Sequence, residues 1–273
     1  MAHSIDPAAG AVRGFVPARN DEERYLMRHI EDLADAAFSR GIARYSAFLS
    51  DREQDLARAA LGRAGVRDGW RFDGGWPEAE RRVLCLEPEH SYGECPVRCV
   101  QLQCRALPGA VLPAHKDYLG SLMGLALKRE ALGDILLPAD APGTAYVFAL
   151  EPAAKLICRE LCQAGRTEVS TRLLEPEEIP AFPAPERQLL TATVSSLRLD
   201  NVLAAGFSIS RGKAAEAVEK GAAQVNWTVC QKPDKPVAAG DTITCRGLGK
   251  CVLDSVGGPT KKGRLPVVIR RFV

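Results

Sequence analysis

The sequence predicts an α+β protein. Three observations carry that reading. Helical periodicity near the N-terminus gives way to alternating strand and helix patterns in the middle. Four prolines, at 176, 180, 183 and 185, then interrupt the chain. Positive charge is concentrated behind them: residues 194–273 hold 13 Lys+Arg against 6 Asp+Glu, and residues 1–193 hold 23 against 28. The 273 residues suffice for two or three small domains, and 46% hydrophobic residues can build a sizeable core. These figures exclude global disorder, a collagen-like fibre and a coiled-coil rod. No apolar run approaches the roughly 20 residues of a membrane helix. Residues 1–10 lack the apolar core of a secretory signal. The expected location is the cytoplasm, with no membrane partner.

Residues 1–20 read as a loose lead-in. Asp21 opens a helix whose Leu26, Ile30, Leu33 and Ala37 share one face, with Gly41 as its end. Ser50 and Glu53 form a capping box for a second helix, ending near Gly62 to Gly65. Phe72 to Trp76 reads as a turn and Arg82 to Leu86 as a strand, completing a mainly helical region over 21–90. In residues 91–175 the pattern predicts a strand at Val97 to Arg105 and a helix at Asp117 to Glu130. Strands follow at Asp134 to Leu137 and Ala145 to Leu150, then a helix from Pro152 to Gly165 and a strand at Glu168 to Leu174. The order βαββαβ is the ferredoxin-like arrangement that RRM modules share. An RRM stacks bases on sheet aromatics. Here only Tyr146 and Phe148 share a face and the first strand has none, so this sheet is expected to be structural. Residues 176–193 read as a proline-rich linker.

The nine cysteines are an odd number in a chain that is not a small secreted one, which disfavours a disulfide framework. His90, Cys95, Cys99 and Cys104 cluster, yet no C-x-x-C pair exists. On a strand Cys99 and Cys104 point to opposite faces and cannot meet on one zinc. Buried free thiols, with no metal and no cofactor, are the expectation.

In residues 194–273, Leu199, Val202 and Leu203 form an apolar stripe behind Arg198. Ser210 caps a helix over Arg211 to Glu219 that Gly221 closes, with Lys213, Glu216 and Lys220 on its polar face. Strands are expected at Ala223 to Asn226, Thr242 to Arg246 and Lys250 to Asp254. The loop from Gly257 to Arg264 packs Lys261, Lys262 and Arg264 together. Five motifs resemble the S4 RNA-binding domain in order and spacing: Arg198 to Leu203, Ser210 to Ala214, Glu219 to Gly221, Val225-Asn226 and Gly240 to Ile243. That resemblance implies a small α/β module docking on structured RNA, where cations meet phosphates at helix N-termini. The residues expected to bind RNA are Arg198, Arg211, Lys213, Lys220, Arg246, Lys261, Lys262 and Arg264.

Upstream, Phe48 to Gln54, Gly74 to Trp76, Ala79 to Arg82, His115 to Leu125, Lys128 to Glu130 and Gly133 to Ile135 resemble the YlmH family of S4-domain proteins. The C-terminal Gly257 to Arg264 also fits. Lys116 stands where that family's pattern leads one to expect arginine, and Trp76 where it leads one to expect tyrosine. Both keep charge or ring character, though lysine gives up the bidentate phosphate contact. The resemblance implies a non-catalytic, monomeric factor that binds ribosomal RNA and tRNA on the large ribosomal subunit. It further implies ribosome-associated quality control of stalled nascent chains and a genomic link to cell division. For His115 to Ser121 two readings stand open. One is contact with RNA or the ribosome; the other is a helix capped by Asp117 and closely packed through Gly120 and Gly124.

Two other functional classes bear on the sequence. Arg198-Leu199-Asp200 invites comparison with pseudouridine synthases, whose catalytic aspartate lies in such a motif. Here a helix-like run follows and too little chain remains for that catalytic domain, so Asp200 reads as helix N-terminal charge. No P-loop, H-E-x-x-H or G-x-S-x-G is present, and no catalytic residue is assigned. The third class is a protein-interaction adaptor with a basic face.

Overall fold

The computed structural model describes residues 18, 20–105, 111–184, 187–226, 228–261 and 263–272. Residues 1–17 and 19 of the expected lead-in, Pro185 and Lys262 lie outside the described residues. The chain forms two compact units, residues 1–182 and 183–273. No helix among the described residues is long and apolar enough to cross a membrane.

The first unit opens with α1 (Asp21–Arg40). Asn20 Oδ1 accepts from Glu23 N at 2.7 Å, and Gly41 ends the helix at φ 64°. Strand β1 (Arg44–Leu49) leads to α2 (Asp51–Arg63). Glu53 reaches back to Ser50 N at 2.7 Å, as the Ser-x-x-Glu spacing predicts. Arg52 donates twice to Glu23, at 3.0 and 2.8 Å, and clamps α2 to α1. Strands β2 (Trp70–Asp73) and β3 (Arg82–Leu86) follow, and the sheet runs in the order β1-β3-β2, antiparallel throughout. The region expected to be mainly helical therefore contains a three-stranded sheet. Strand β1 escapes the sequence reading because its register shifts between Tyr45 and Phe48, which breaks the two-residue alternation.

The middle elements are β4 (Val97–Cys104), α3 (His115–Gly124), β5 (Leu132–Leu136), β6 (Thr144–Leu150), α4 (Glu151–Glu160), β7 (Gln163–Ala164) and β8 (Thr167–Leu174). Their sheet runs β5-β6-β4-β8-β7, and each pair is antiparallel. The first four strands in that order are those of the split βαβ arrangement, as expected. Two helices stop earlier than their patterns predict. α3 ends at Gly124 and the chain turns through Ala126 at φ 58°. Gly120 and Gly124, the two weakest helix formers there, sit within or at the end of it. α4 ends at Glu160 because Gly165, at φ 60°, serves a β7–β8 hairpin and not the helix stop.

The alternation of β4 and β6 sorts their side chains to two sides. Val100, Leu102, Ala145, Val147 and Ala149 join Tyr118, Leu122 and Ile157 of α3 and α4. Cys99, Tyr146 and Phe148 meet Phe48, Val83 and Cys85 of the N-terminal sheet. The opposite face of that N-terminal sheet, with Leu84 and Leu86, packs on Met27, Ile30 and Ala34 of α1 and on Leu56 and Leu61 of α2. The first unit is thus a stack of helices, sheet, sheet and helices sharing one scaffold. The aromatics that an RRM would offer to bases are core: Phe182 packs edge-on against Tyr146 and Phe148, with ring centroids 5.0 and 6.1 Å apart.

The family-like motifs weld these layers. Asp134 on β5 accepts from Trp76 Nε1 at 3.0 Å, Glu80 N at 2.8 Å and Arg81 N at 3.2 Å. Arg81 returns the favour by donating to Leu132 O at 3.0 Å and Phe48 O at 3.1 Å. Gly75 is required between them: at φ 86°, a Cβ there would lie 2.4 Å from Phe148 Cδ1. By contrast, a Cβ at Gly120 or Gly124 would meet nothing within 4 Å, so these glycines do not mark close packing.

The second unit holds β9 (Arg187–Val194), α5 (Leu199–Phe207), α6 (Arg211–Glu219), β10 (Ala223–Val225), β11 (Thr228–Val229), β12 (Thr242–Cys245), β13 (Gly249–Val256) and β14 (Leu265–Phe272). Its sheet runs β11-β10-β12-β13-β14-β9. β9 takes up the last seven residues, 187–193, of the stretch read as a linker, so the linker reading does not hold beyond residue 186. Leu190, Ala192 and Val194 alternate toward a core with Leu199, Leu203, Phe207, Ala214 and Val218 of the helices.

Candidate nucleic-acid interface

The site begins with a buried acid. Asp200 in the first turn of α5 is only 2% exposed. It accepts from Arg198 Nε and Nη2, both at 3.1 Å, from Arg211 Nε at 3.0 Å and from Asn201 N at 2.9 Å. Burial alone would raise its carboxyl pKa. The two guanidiniums outweigh that and hold it below the usual carboxylate range. Asn201 locks the approach to the helix by donating to Ser195 Oγ, Ser196 O and Ser196 Oγ at 3.1, 3.2 and 2.9 Å.

Asp200 thereby joins the N-terminal ends of α5 and α6. Ser210 caps α6 by accepting from Lys213 N at 3.3 Å, which starts that helix with Arg211 in its first turn. Arg198 and Arg211 keep 39% and 56% of their side-chain surface exposed while anchored. Two positive helix ends, two oriented guanidiniums and the exposed Lys213 converge there. Such an arrangement attracts anions and presents planar forks suited to phosphate oxygens.

Not all the predicted cations gather there. Lys261 and Arg264 lie in the loop between β13 and β14, which Thr260 closes through Thr260 N to Arg264 O at 2.8 Å. Arg264 Nη2 donates to Thr193 O at 2.8 Å. This is the end of the sheet where β9 hands the chain to Arg198, since Val194 pairs with Leu265. Arg246 lies in the β12–β13 turn, at the other end of the eight-residue β13, roughly 23 Å away. Its N–H donates to Ala222 O at 2.9 Å, just beyond Lys220. Lys220 is ion-paired with Glu216 at 2.5 Å, which partly spends its charge. The eight residues therefore divide: Arg198, Arg211, Lys213, Lys261 and Arg264 toward one end, Lys220 and Arg246 toward the other, with Lys262 outside the described residues.

Two lysines that are absent from the expected RNA-binding residues, Lys232 and Lys235, join the first group. Leu199 N donates to Lys235 O at 2.9 Å, and Asp200 N to Pro233 O at 3.0 Å. The Lys232 to Pro236 turn therefore lies against the start of α5, bringing Lys232 and Lys235 beside Arg198. The bridge between Arg198 and Pro236 agrees with these hydrogen bonds.

The S4 domain family model matches residues 197–243, which include Asp200, both anchored arginines, Lys213 and the Lys232–Lys235 turn. Residues 111–178 match the family model described as "Putative RNA-binding domain in YlmH". A Bacillus subtilis (strain 168) protein, "Ribosome-associated protein quality control protein P2", is 35% identical over 225 residues, covering 82% of this chain and 85% of that one. The chain belongs to the YlmH family. "Cell division protein ylmH from Streptococcus pneumoniae" is a solved structure with a TM-score of 0.46 at 16% identity, over 60% of this chain and 98% of that one. For this YlmH-family chain, Arg246, Lys261, Lys262 and Arg264 fall beyond the matched S4 span.

The anchored acid makes the second unit sensitive to pH. The folded pKa of Asp200 is depressed, so its contribution is present above the unfolded value of about 3.9 and is lost as pH falls through the folded value. Protection factors of the α5 amides, with the intrinsic pH dependence of exchange divided out, are expected to fall over that acid window, and Asp200→Asn should flatten the dependence. An unaltered profile in the variant would show that Asp200 does not carry it.

Proposed function

We propose that this protein binds structured RNA through the converging N-terminal ends of α5 and α6. The observation that carries the reading is the Arg198–Asp200–Arg211 constellation: two exposed guanidiniums oriented by one buried carboxylate at two helix N-termini. The match of this segment to the S4 domain model supports it. The Bacillus subtilis relative's name supports a place on the ribosome. The finer reading is a monomeric cytoplasmic factor that engages ribosomal RNA and tRNA on the large subunit, in quality control of stalled nascent chains.

The action is non-catalytic in this reading. Asp200, the one residue that invited an enzymatic comparison, is buried with its oxygens occupied by arginines and a backbone N–H. A pseudouridine synthase needs that carboxylate free to reach a base. The middle sheet does not stack bases in this reading, since both its faces are packed. The outer surface of α3, with His115, Lys116 and Gly120 exposed, is one part of that unit open to a ribosomal surface in this reading.

Crosslinking of the tagged full chain followed by sequencing of attached RNA tests the reading. Enrichment of large-subunit ribosomal RNA and tRNA is expected. Recovery of no RNA above an untagged control would overturn it. Mass analysis of ribosomal RNA from a deletion strain should show every modification retained, and a missing one would favour the enzymatic alternative.

A further inference from the structure

The first unit carries a second cluster that the RNA-binding reading does not use. Cys85 on β3 and Cys95 in the segment between β3 and β4 bring their sulfurs to 3.6 Å. Asp73, the last residue of β2, joins them, with one ligand atom from each of the three within 4.8 Å of the others. Cys85 is buried, and Asp73 and Cys95 are half-buried.

The sheet explains the meeting. Cys85 faces Tyr45 across β1–β3 and Arg71 across β2–β3, and Asp73 is two residues beyond Arg71. All four therefore point to the side of the sheet that packs on the middle layer. Cys95 arrives from the start of β4, two residues before Val97. Linear spacing conceals the grouping, because the three residues come from β2, β3 and a connecting segment and form no C-x-x-C pair.

We propose that Asp73, Cys85 and Cys95 bind a zinc ion. Tetrahedral zinc with bonds of about 2.3 Å to sulfur sets its thiolates about 3.7–3.8 Å apart, close to the separation here. A disulfide needs about 2.05 Å. Two thiolates and a carboxylate form a soft donor set suited to zinc over magnesium or calcium. The carboxylate is already oriented: Asp73 Oδ1 accepts from Gly75 N at 2.8 Å, and Oδ2 is paired with Arg71. Tyr45 Oη, buried without a hydrogen-bond partner among the described residues, is a further oxygen donor on the same sheet face. Binding releases the two thiol protons to solvent and leaves two thiolates and one carboxylate on the cation. The ion would tie the segment between β3 and β4 to the edge of β2, which makes it a structural clamp.

The test uses the full chain, purified under reductant and stripped of metal, titrated with Co²⁺ and then Zn²⁺. One equivalent of Co²⁺ should give a thiolate-to-cobalt charge-transfer band that Zn²⁺ abolishes. Cys95→Ser should lose the band, and Asp73→Asn should weaken uptake at least tenfold. Cys162→Ser, which changes an exposed thiol elsewhere, should retain full uptake. Circular dichroism of each variant confirms that it is folded, and Cys95 is chosen over the fully buried Cys85 for that reason. No stoichiometric band, or a band intact in Cys95→Ser, would overturn the proposal. So would a reduced protein that takes up no metal but forms a Cys85–Cys95 disulfide on exposure to peroxide, which would make the pair a redox couple.

Discussion

Replacing Arg211 and Lys213 together by Ala is expected to weaken RNA binding on every sequence tested and to lower the salt slope. Each phosphate contact contributes about 0.7–0.9 to the slope of log K against log salt, so two lost contacts remove about 1.4–1.8. The loss should be uniform across sequences because phosphates carry no base identity. The fold should survive the change. Lys213 is exposed, and Arg211 leaves Asp200 still paired with Arg198. Filter binding or fluorescence anisotropy from low to high salt measures the slope, and an unchanged slope would remove both residues from the interface.

The second large effect concerns the first unit. Asp134→Ala removes the acceptor of three donors, Trp76 Nε1 and the N–H groups of Glu80 and Arg81. Two of the three, Trp76 Nε1 and Arg81 N, are part-buried, and leaving such donors unmatched costs about 1–3 kcal/mol. In a unit of this size that corresponds to a fall of about 2–12 °C in Tm. Trp76 reports directly, since its indole loses its hydrogen bond, so thermal unfolding followed by tryptophan fluorescence is the measurement. A Tm within 1 °C of the parent would show that the network does not weld the two sheets. RNA binding by the second unit should be untouched in this variant.

Much of this architecture is legible in local chemistry. The first helix could be bounded because Asp21 to Glu23 and Gly41 mark its ends. Ser50-x-x-Glu53 marked the second, and Ser210 with Gly221 marked α6. The middle element order could be read because β4 and β6 alternate cleanly between two cores. What escaped depends on distant partners. Tyr45 to Phe48 lose their alternation at a register shift that only the pairing with β3 stabilises. Arg187 to Val194 do alternate, through Leu190, Ala192 and Val194, but their strand exists by pairing with β14 at the far end of the chain. The prolines beside them drew attention to a linker instead.

The candidate site divides in the same way. Arg198, Arg211 and Lys213 could be picked from spacing because the S4-like motifs place them at helix starts. That Asp200 holds both arginines could not, since the reading of that residue stopped at helix N-terminal charge. Lys232 and Lys235 were missed because their relevance comes from a backbone bridge between Arg198 and Pro236. Arg246 was grouped with the others on charge, and the hairpin sends it to the opposite end of β13.

The central claim is that the anchored arginines at the joined ends of α5 and α6 touch RNA. Ultraviolet crosslinking of the full chain to bound RNA, with the linked peptides mapped by mass spectrometry, tests it most directly. The account predicts adducts within residues 198–213 and 232–236, lost when Arg198 and Arg211 are both replaced by Ala. Adducts confined to the first unit, or none in those two segments while RNA remains bound, would contradict it.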